Sequence, residues 1–204
     1  MEAVSFAHGL EVIVALLCFI TLLPNTLNSR NLTQVYILGS ILSYVCVQIF
    51  NYLGPSYLLR EVEAWGHFIS ISLILSALFV IIRDSKPVFA RFPMYLTLLP
   101  LSGILFFAII PTSYAIKGIL ELIMQAGALV VAFLLFGVNT YLFDWKWTYL
   151  ASLIAFISAY IVPLLSLSDP SMTVFLGSIS LCIGMIFLTF SLVKYPYNTE
   201  FSQK

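Results

Sequence analysis

The chain has 204 residues, 61% of them apolar and only 9% charged, where an ordinary soluble domain carries roughly 25% charged residues. So little charge cannot cover a water-facing surface, and nine basic against nine acidic residues give no hint of nucleic-acid binding. The expected class is an all-α, polytopic integral membrane protein, a single transmembrane domain over residues 1–204 with no room for a soluble catalytic domain.

The first apolar run covers residues 5–23 and ends at Pro24-Asn25. No basic residues precede it and no clear cleavage site follows, so it reads as a retained helix. It carries His8 and Glu11 three apart on one face. The second run, 34–53, ends at Gly54-Pro55 and places Tyr44, Gln48 and Asn51 on one face. The third, 64–82, opens with His67 and Ser70 behind Glu63. The fourth, 94–110, lies between Pro93 and Pro111; it is the shortest and holds Pro100, which predicts a tilt or kink. The fifth, 113–138, carries Lys117, Glu121 and Gln125 in a strict four-residue stripe. The sixth, 147–165, has Ala151, Ala155 and Ala159 at every fourth position, and the seventh, 171–193, has Gly177 and Gly184 two turns apart. Small-residue stripes of this kind let helix backbones approach closely in lipid. None of the runs shows the sustained alternation a membrane β-barrel needs, and inside lipid a continuous apolar run satisfies its backbone only as a helix.

Basic residues set the orientation. Arg83, Lys86 and Arg91 place the loop after the third helix in the cytoplasm. Alternation then brings Arg30, Lys146, Lys194 and Lys204 to the same side and leaves Arg60 and Lys117 outside. The expectation is seven spans, N-terminus outside and C-terminus cytoplasmic, in a plasma or inner membrane. The Asn31-Leu32-Thr33 sequon falls on the cytoplasmic side and is discounted. Trp65, Trp145 and Trp147 fall at expected helix ends, as interfacial aromatics do.

Ionisable groups inside spans are costly and point to function. With this topology His8, Glu11, Gln48, Asn51, His67, Lys117, Glu121 and Gln125 all fall in the outer half, and the inner half reads as mostly Leu, Ile, Phe, Ala and Val. Singly, each has a plain structural account. Lys117 and Glu121 can neutralise each other, Gln48 and Asn51 can bind neighbouring helices together, and the histidines can face the headgroups. Their shared level is what makes a polar, outward-facing ligand pocket the reading for the set. Cys18, Cys46 and Cys182 sit in apolar runs without a CxxC spacing and read as small buried hydrophobes. No HxxxH or HExxH spacing supports a metal site, no cofactor is expected, and no serine or cysteine nucleophile stands in a recognisable setting.

Two seven-helix families are excluded on residues. A retinal protein needs a lysine in the middle of its last helix, and Lys194 lies at the cytoplasmic end. Hydrolases of the ceramidase and adiponectin-receptor kind use three histidines and an aspartate; this chain has two histidines and no aspartate within a span. The resulting expectation is a non-enzymatic, small ligand-binding or sensory membrane module. It would sit among membrane lipids, form homo-oligomers, and signal through a protein partner held at the cytoplasmic loop 83–91 and the tail 194–204. The alternatives are a small transporter or channel subunit, moving at Pro100 and Pro163, and a lipid-modifying enzyme working through Glu11, His67 and Glu121.

Overall fold

A computed structural model gives the fold and describes residues 2–29, 31–53, 58–85, 91, 93–109, 114–142, 151, 154–155, 157 and 170–194. Among these, every regular element is helical: α1 (Glu2–Ser29), α2 (Leu32–Leu53), α3 (Leu59–Ser85), a 3-10 stretch (Met94–Leu98) leading into α4 (Leu99–Ile109), α5 (Tyr114–Leu142) and α6 (Pro170–Lys194). Five of these helices are long and apolar enough to cross a membrane, and Met94–Ile109 forms a shorter apolar helix. Of the expected sixth segment, 147–165, only Ala151, Ile154, Ala155 and Ile157 are described, all helical. Trp145, Trp147, Ala159 and Pro163 lie outside the described residues.

Two boundaries differ most from the sequence expectation. α1 does not stop at Pro24 but carries it inside and continues to Ser29. A mid-helix proline removes one backbone donor at a cost of about 3 kcal/mol. Ending the helix there would strip a whole turn of its hydrogen bonds at membrane depth, which is worse. α3 begins at Leu59 rather than 64, because the charged run Arg60–Glu63 forms the helix's first turns instead of a loop. This lengthening leaves Trp65 almost two turns inside the helix, where its ring meets Phe107 edge-on at 4.9 Å.

The turn from α1 to α2 is short and capped. Asn31 Oδ1 accepts the Thr33 backbone N–H at 2.9 Å, and the Ser29 hydroxyl donates to Gln34 Oε1 at 2.6 Å. The side-chain oxygen of a helix N-cap satisfies a donor the helix itself leaves free. Asn31 is buried, with its Oδ1 committed to that cap.

The helix changes type just before Pro100. That proline is the second residue of α4, behind five residues of 3-10 helix. A 3-10 helix rises about 2.0 Å per residue against 1.5 Å for an α-helix. The combined element therefore reaches about 26 Å, close to the ~30 Å hydrocarbon thickness.

Side-chain contacts fix the helix directions. Ser40 meets Ser70, Tyr44 meets His67, and Val47 lies against Gly66, so α2 and α3 are antiparallel. Tyr36 reaches Thr97 near one end of α2, and Phe107 packs on Phe68 near the other end of α3, so α4 runs against α3. Lys117 meets Glu61 and Glu121 meets His67, so α5 is parallel to α3. Glu11 and Cys18 both lie within electrostatic reach of Cys182, and Cys18 also adjoins Thr189. The last described helix therefore runs parallel to the first and packs beside it.

α3 is the centre of the bundle: 67% of its span residues are buried, against 22% in α5. The core joins Leu22, Ile37, Ile41, Ile71, Ile74, Leu78, Ile81, Ala128 and Met185. The outward faces are themselves apolar: Phe6, Leu105, Phe106, Ile109, Ile123, Leu134 and Phe187 are all exposed, which suits a lipid environment. Lipid tails are as apolar as these side chains, so water exclusion does not hold such helices together; close packing and interhelical hydrogen bonds do. Gly66 shows the closeness. A Cβ there would stand 1.8 Å from Val47 Cγ2, so only glycine lets α2 and α3 meet at this level.

Candidate functional site

The polar groups gather at the end of the bundle where α1, α3 and α5 begin. The outermost pair is Lys117 Nζ, which donates to Glu61 Oε2 at 2.7 Å. The Lys117 side chain is only 7% exposed and that of Glu61 is 28% exposed. The ammonium also lies 5.3 Å from the centre of the Phe107 ring, a position in which the ring face attracts a cation. Sequence reading offered Glu121 as the neutralising partner on the same helix. The structure instead uses Glu61 from α3, a residue absent from the sequence candidates because the charged run 60–63 reads as a loop. The demand for a carboxylate opposite an intramembrane lysine was the signal that could have found it.

About one and a half turns deeper, His67 Nδ1 lies 3.5 Å from Glu121 Oε1. Gln125 continues inward: its Nε2 donates to the same Glu121 oxygen at 3.1 Å. On the α2 side the Tyr44 ring stacks against the His67 ring, centroids 6.2 Å apart and planes 12° from parallel. Gln48 Nε2 donates to the Tyr44 hydroxyl at 2.8 Å. Five side chains thus form one run across three helices: Gln48, Tyr44, His67, Glu121, Gln125. The α5 contributors share one buried stripe with Ala128, Ala132 and Leu135, the periodicity of a helix face pressed on a neighbour. From Lys117 to Gln125 the stripe descends about 12 Å at 1.5 Å per residue.

Glu11 lies at the same end but on the seam between α1 and α6. It is 4% exposed, in a stripe with Ala15, Cys18 and Leu22, and lies within electrostatic reach of Cys182. The side chains of His8 and Asn51 lie outside the described residues, although both positions fall within helices.

From the level of Gln125 inward the bundle is less plain than the sequence reading expects. Ser40 and Ser70 bond at 2.7 Å, and Ser70 Oγ also donates to the Ser40 carbonyl at 3.2 Å. Tyr36 and Thr97 hydroxyls lie 3.4 Å apart. Ser72, Ser76 and Thr189 are buried too. Serine and threonine are easily lost to the eye inside an apolar run, because one hydroxyl barely alters its hydropathy.

Chemically the cluster can hold, exchange or relay a proton between an imidazole and a carboxylate, and it can accept hydrogen bonds from a ligand. Among the described residues, no group of three or more His, Cys, Asp or Glu side chains gathers where a metal ion could be held. Comparison with known proteins finds no matching family model, no similar curated protein and no similar solved structure.

Proposed function

We propose that this chain is a seven-span membrane protein with its N-terminus outside, and that it acts as a non-enzymatic ligand-binding or sensory module. Its ligand enters from outside to the run formed by Gln48, Tyr44, His67, Glu121 and Gln125. Occupancy passes to a protein partner at the cytoplasmic loop 83–91 and the tail 194–204, both largely outside the described residues. The observation that carries the reading is the His67–Glu121 pair within the helical bundle, beside the buried Gln125. Intramembrane acid–base pairs are expensive, and function is the usual reason for keeping one.

Helix direction supports the span count. α1 and α6 are parallel and beside one another, so an odd number of crossings separates them. The antiparallel contacts give four alternating elements between them, α2 to α5. A fifth, supplied by the segment holding Ala151–Ile157, brings the total to seven. The basic residues Arg83, Lys86 and Arg91 support the orientation.

The test is cysteine labelling in a background lacking Cys18, Cys46 and Cys182. His67→Cys and Gln125→Cys react with a membrane-impermeant methanethiosulfonate added outside, and Ser76→Cys does not. Epitope tags on the two tails report on opposite sides of the membrane. A Gln125→Cys that stays unlabelled from both sides means the cluster is closed packing and sinks the pocket. Tails on one side sink the seven-span topology.

A transporter is the second reading, favoured by the buried hydroxyls of Ser72, Ser76, Tyr36 and Thr97, which carry polar groups past Gln125 towards the other face. Labelling of Ser76→Cys from both sides is the outcome that would favour it.

A further inference from the structure

Two serines deeper in α3 than His67 have nothing to bond. Ser72 and Ser76 are both 0% exposed, and neither hydroxyl has a hydrogen-bond partner. A buried hydroxyl in that state carries the full cost of its desolvation. Serine and threonine in a helix ordinarily avoid this by bonding to a carbonyl three or four residues back. Thr21 does so to Leu17, Thr26 to Leu22 and Ser102 to Leu99. Ser72 and Ser76 make no such bond, so their oxygens are offered to whatever lies across the helix seam.

That seam is the one between α3 and α4. Phe68 packs over Gly103 and stacks on Phe107, which identifies the face of α3 that α4 covers. Ser72 follows Phe68 by four residues and Ser76 follows by four more, so both continue that face inward, one turn each. α4 runs the other way, and the same two turns lead from Gly103 back through Leu99 into the 3-10 stretch Met94–Leu98. α3 packs against that stretch as well. Thr97 and Pro100 are buried there. Pro100 has no N–H to give, and the Thr97 hydroxyl donates to the Met94 carbonyl at 2.7 Å. Tyr36 of α2 reaches the same Thr97 oxygen at 3.4 Å. No group on this wall comes within bonding distance of either serine hydroxyl.

We infer that the α3–α4 seam is a binding site for an enclosed water molecule held between Ser72 and Ser76. Side chains at i, i+4 on a helix stand about 5–6 Å apart, too far to bond each other. One water reaching about 2.8 Å to each oxygen closes that gap. Either hydroxyl can donate to it or accept from it. The Tyr36 and Thr97 oxygens, near the level of Ser76, keep lone pairs for its remaining capacity, and two to four polar partners are what a buried water requires. An apolar guest would leave both hydroxyls as they are. A metal cation needs a fuller shell of oxygens than two serines supply. The site is independent of what binds at His67 and Glu121. Its consequence is that α4 meets α3 through water where it changes helix type, while the opposite face of α3, at Ile74 and Leu78, is packed dry.

The experiment is proton-detected solid-state NMR of the full chain in liposomes of deuterated phosphatidylcholine, which reads the transfer of water magnetisation to individual residues. Ser72 and Ser76 show water cross-peaks at short mixing times, and Ile74 and Leu78 show none. Ser72→Ala at least halves the Ser76 cross-peak, and Ser76→Ala does the same to Ser72, because the water is shared. Reversible unfolding in mixed micelles reads the same site by sign. Each single variant is less stable than the wild type, since it strands the other hydroxyl. The double variant is no less stable than either single one, since it strands none. Absence of water cross-peaks at both serines, or a Ser76 cross-peak untouched by Ser72→Ala, overturns the inference. So does a single variant as stable as the wild type or more so, the mark of a hydroxyl that was dry. Labelling of Ser76→Cys in the assay above also overturns it, since the seam would then be open to bulk water rather than enclosing a bound molecule.

Discussion

Removing either partner of the Lys117–Glu61 pair breaks the same 2.7 Å contact, yet the two removals should differ in cost. Glu61→Gln leaves an ammonium whose side chain is 7% exposed, with the Phe107 ring and a neutral amide oxygen as its remaining compensation. Stranding a buried charge costs about 3–5 kcal/mol, and a cation–π contact returns roughly 1–2 kcal/mol of that. The expected loss is about 2–3 kcal/mol. Lys117→Met leaves instead a carboxylate that is 28% exposed, at the first turns of α3, where it can turn to water and face the favourable end of the helix dipole. That loss should be about 1 kcal/mol or less, in the range of exposed pairs. The double variant Glu61→Gln/Lys117→Met should recover most of what Glu61→Gln loses, since no charge is then stranded. Reversible unfolding of the four proteins in mixed micelles, read as a double-mutant cycle, measures all three quantities. Equal costs for the two single variants, or a larger cost for Lys117→Met, would refute the claim that burial of the lysine dominates this pair.

Other perturbations test the packing. Gly66→Ala puts a methyl against Val47 Cγ2 and should destabilise by about 1–3 kcal/mol, as overpacking does. Gly118→Ala, where an added Cβ meets nothing within 4 Å, should be neutral in the same unfolding assay. Ser70→Ala removes two bonds to α2, at 2.7 and 3.2 Å, while Ser40→Ala removes one and keeps its carbonyl. Interhelical bonds in lipid average about 0.6 kcal/mol, so Ser70→Ala should cost about twice as much as Ser40→Ala. A larger loss for Ser40→Ala would show that its hydroxyl has a partner the α2–α3 pair does not explain.

Hydropathy alone reveals most of the helices, because a bilayer imposes one length and one backbone solution on every crossing. It fails where a local penalty is outweighed by that same rule. Pro24 reads as a stop, yet α1 continues through it, since an interrupted helix in lipid loses more than one proline removes. Arg60–Glu63 reads as a loop, yet α3 starts there, because its first turns lie where charges find water. The second miss matters more, since it hides Glu61 and assigns Lys117 to the wrong carboxylate. Gln125 and Glu121 are legible as a stripe at i, i+4, a spacing the helix guarantees. The stacking of Tyr44 on His67 is not legible, since it depends on Gly66 drawing two helices together, and no periodicity within one segment reports a crossing distance. The buried serines are equally silent, because only the fold decides whether a hydroxyl faces lipid or a neighbour.

The pairing of the first helix with the last also bears on how the chain is made. Glu11 leaves the ribosome well ahead of Cys182, which lies within its electrostatic reach in the finished bundle and follows some 170 positions later. At about 5–20 residues per second, that carboxyl group waits roughly ten to thirty seconds for the helix that shelters it. During that time the nascent α1 must keep an acidic side chain at the edge of the bilayer or inside the insertion machinery. The packing of α6 beside α1 is thus a late step in the making of the bundle, set by an acidic side chain inserted long before.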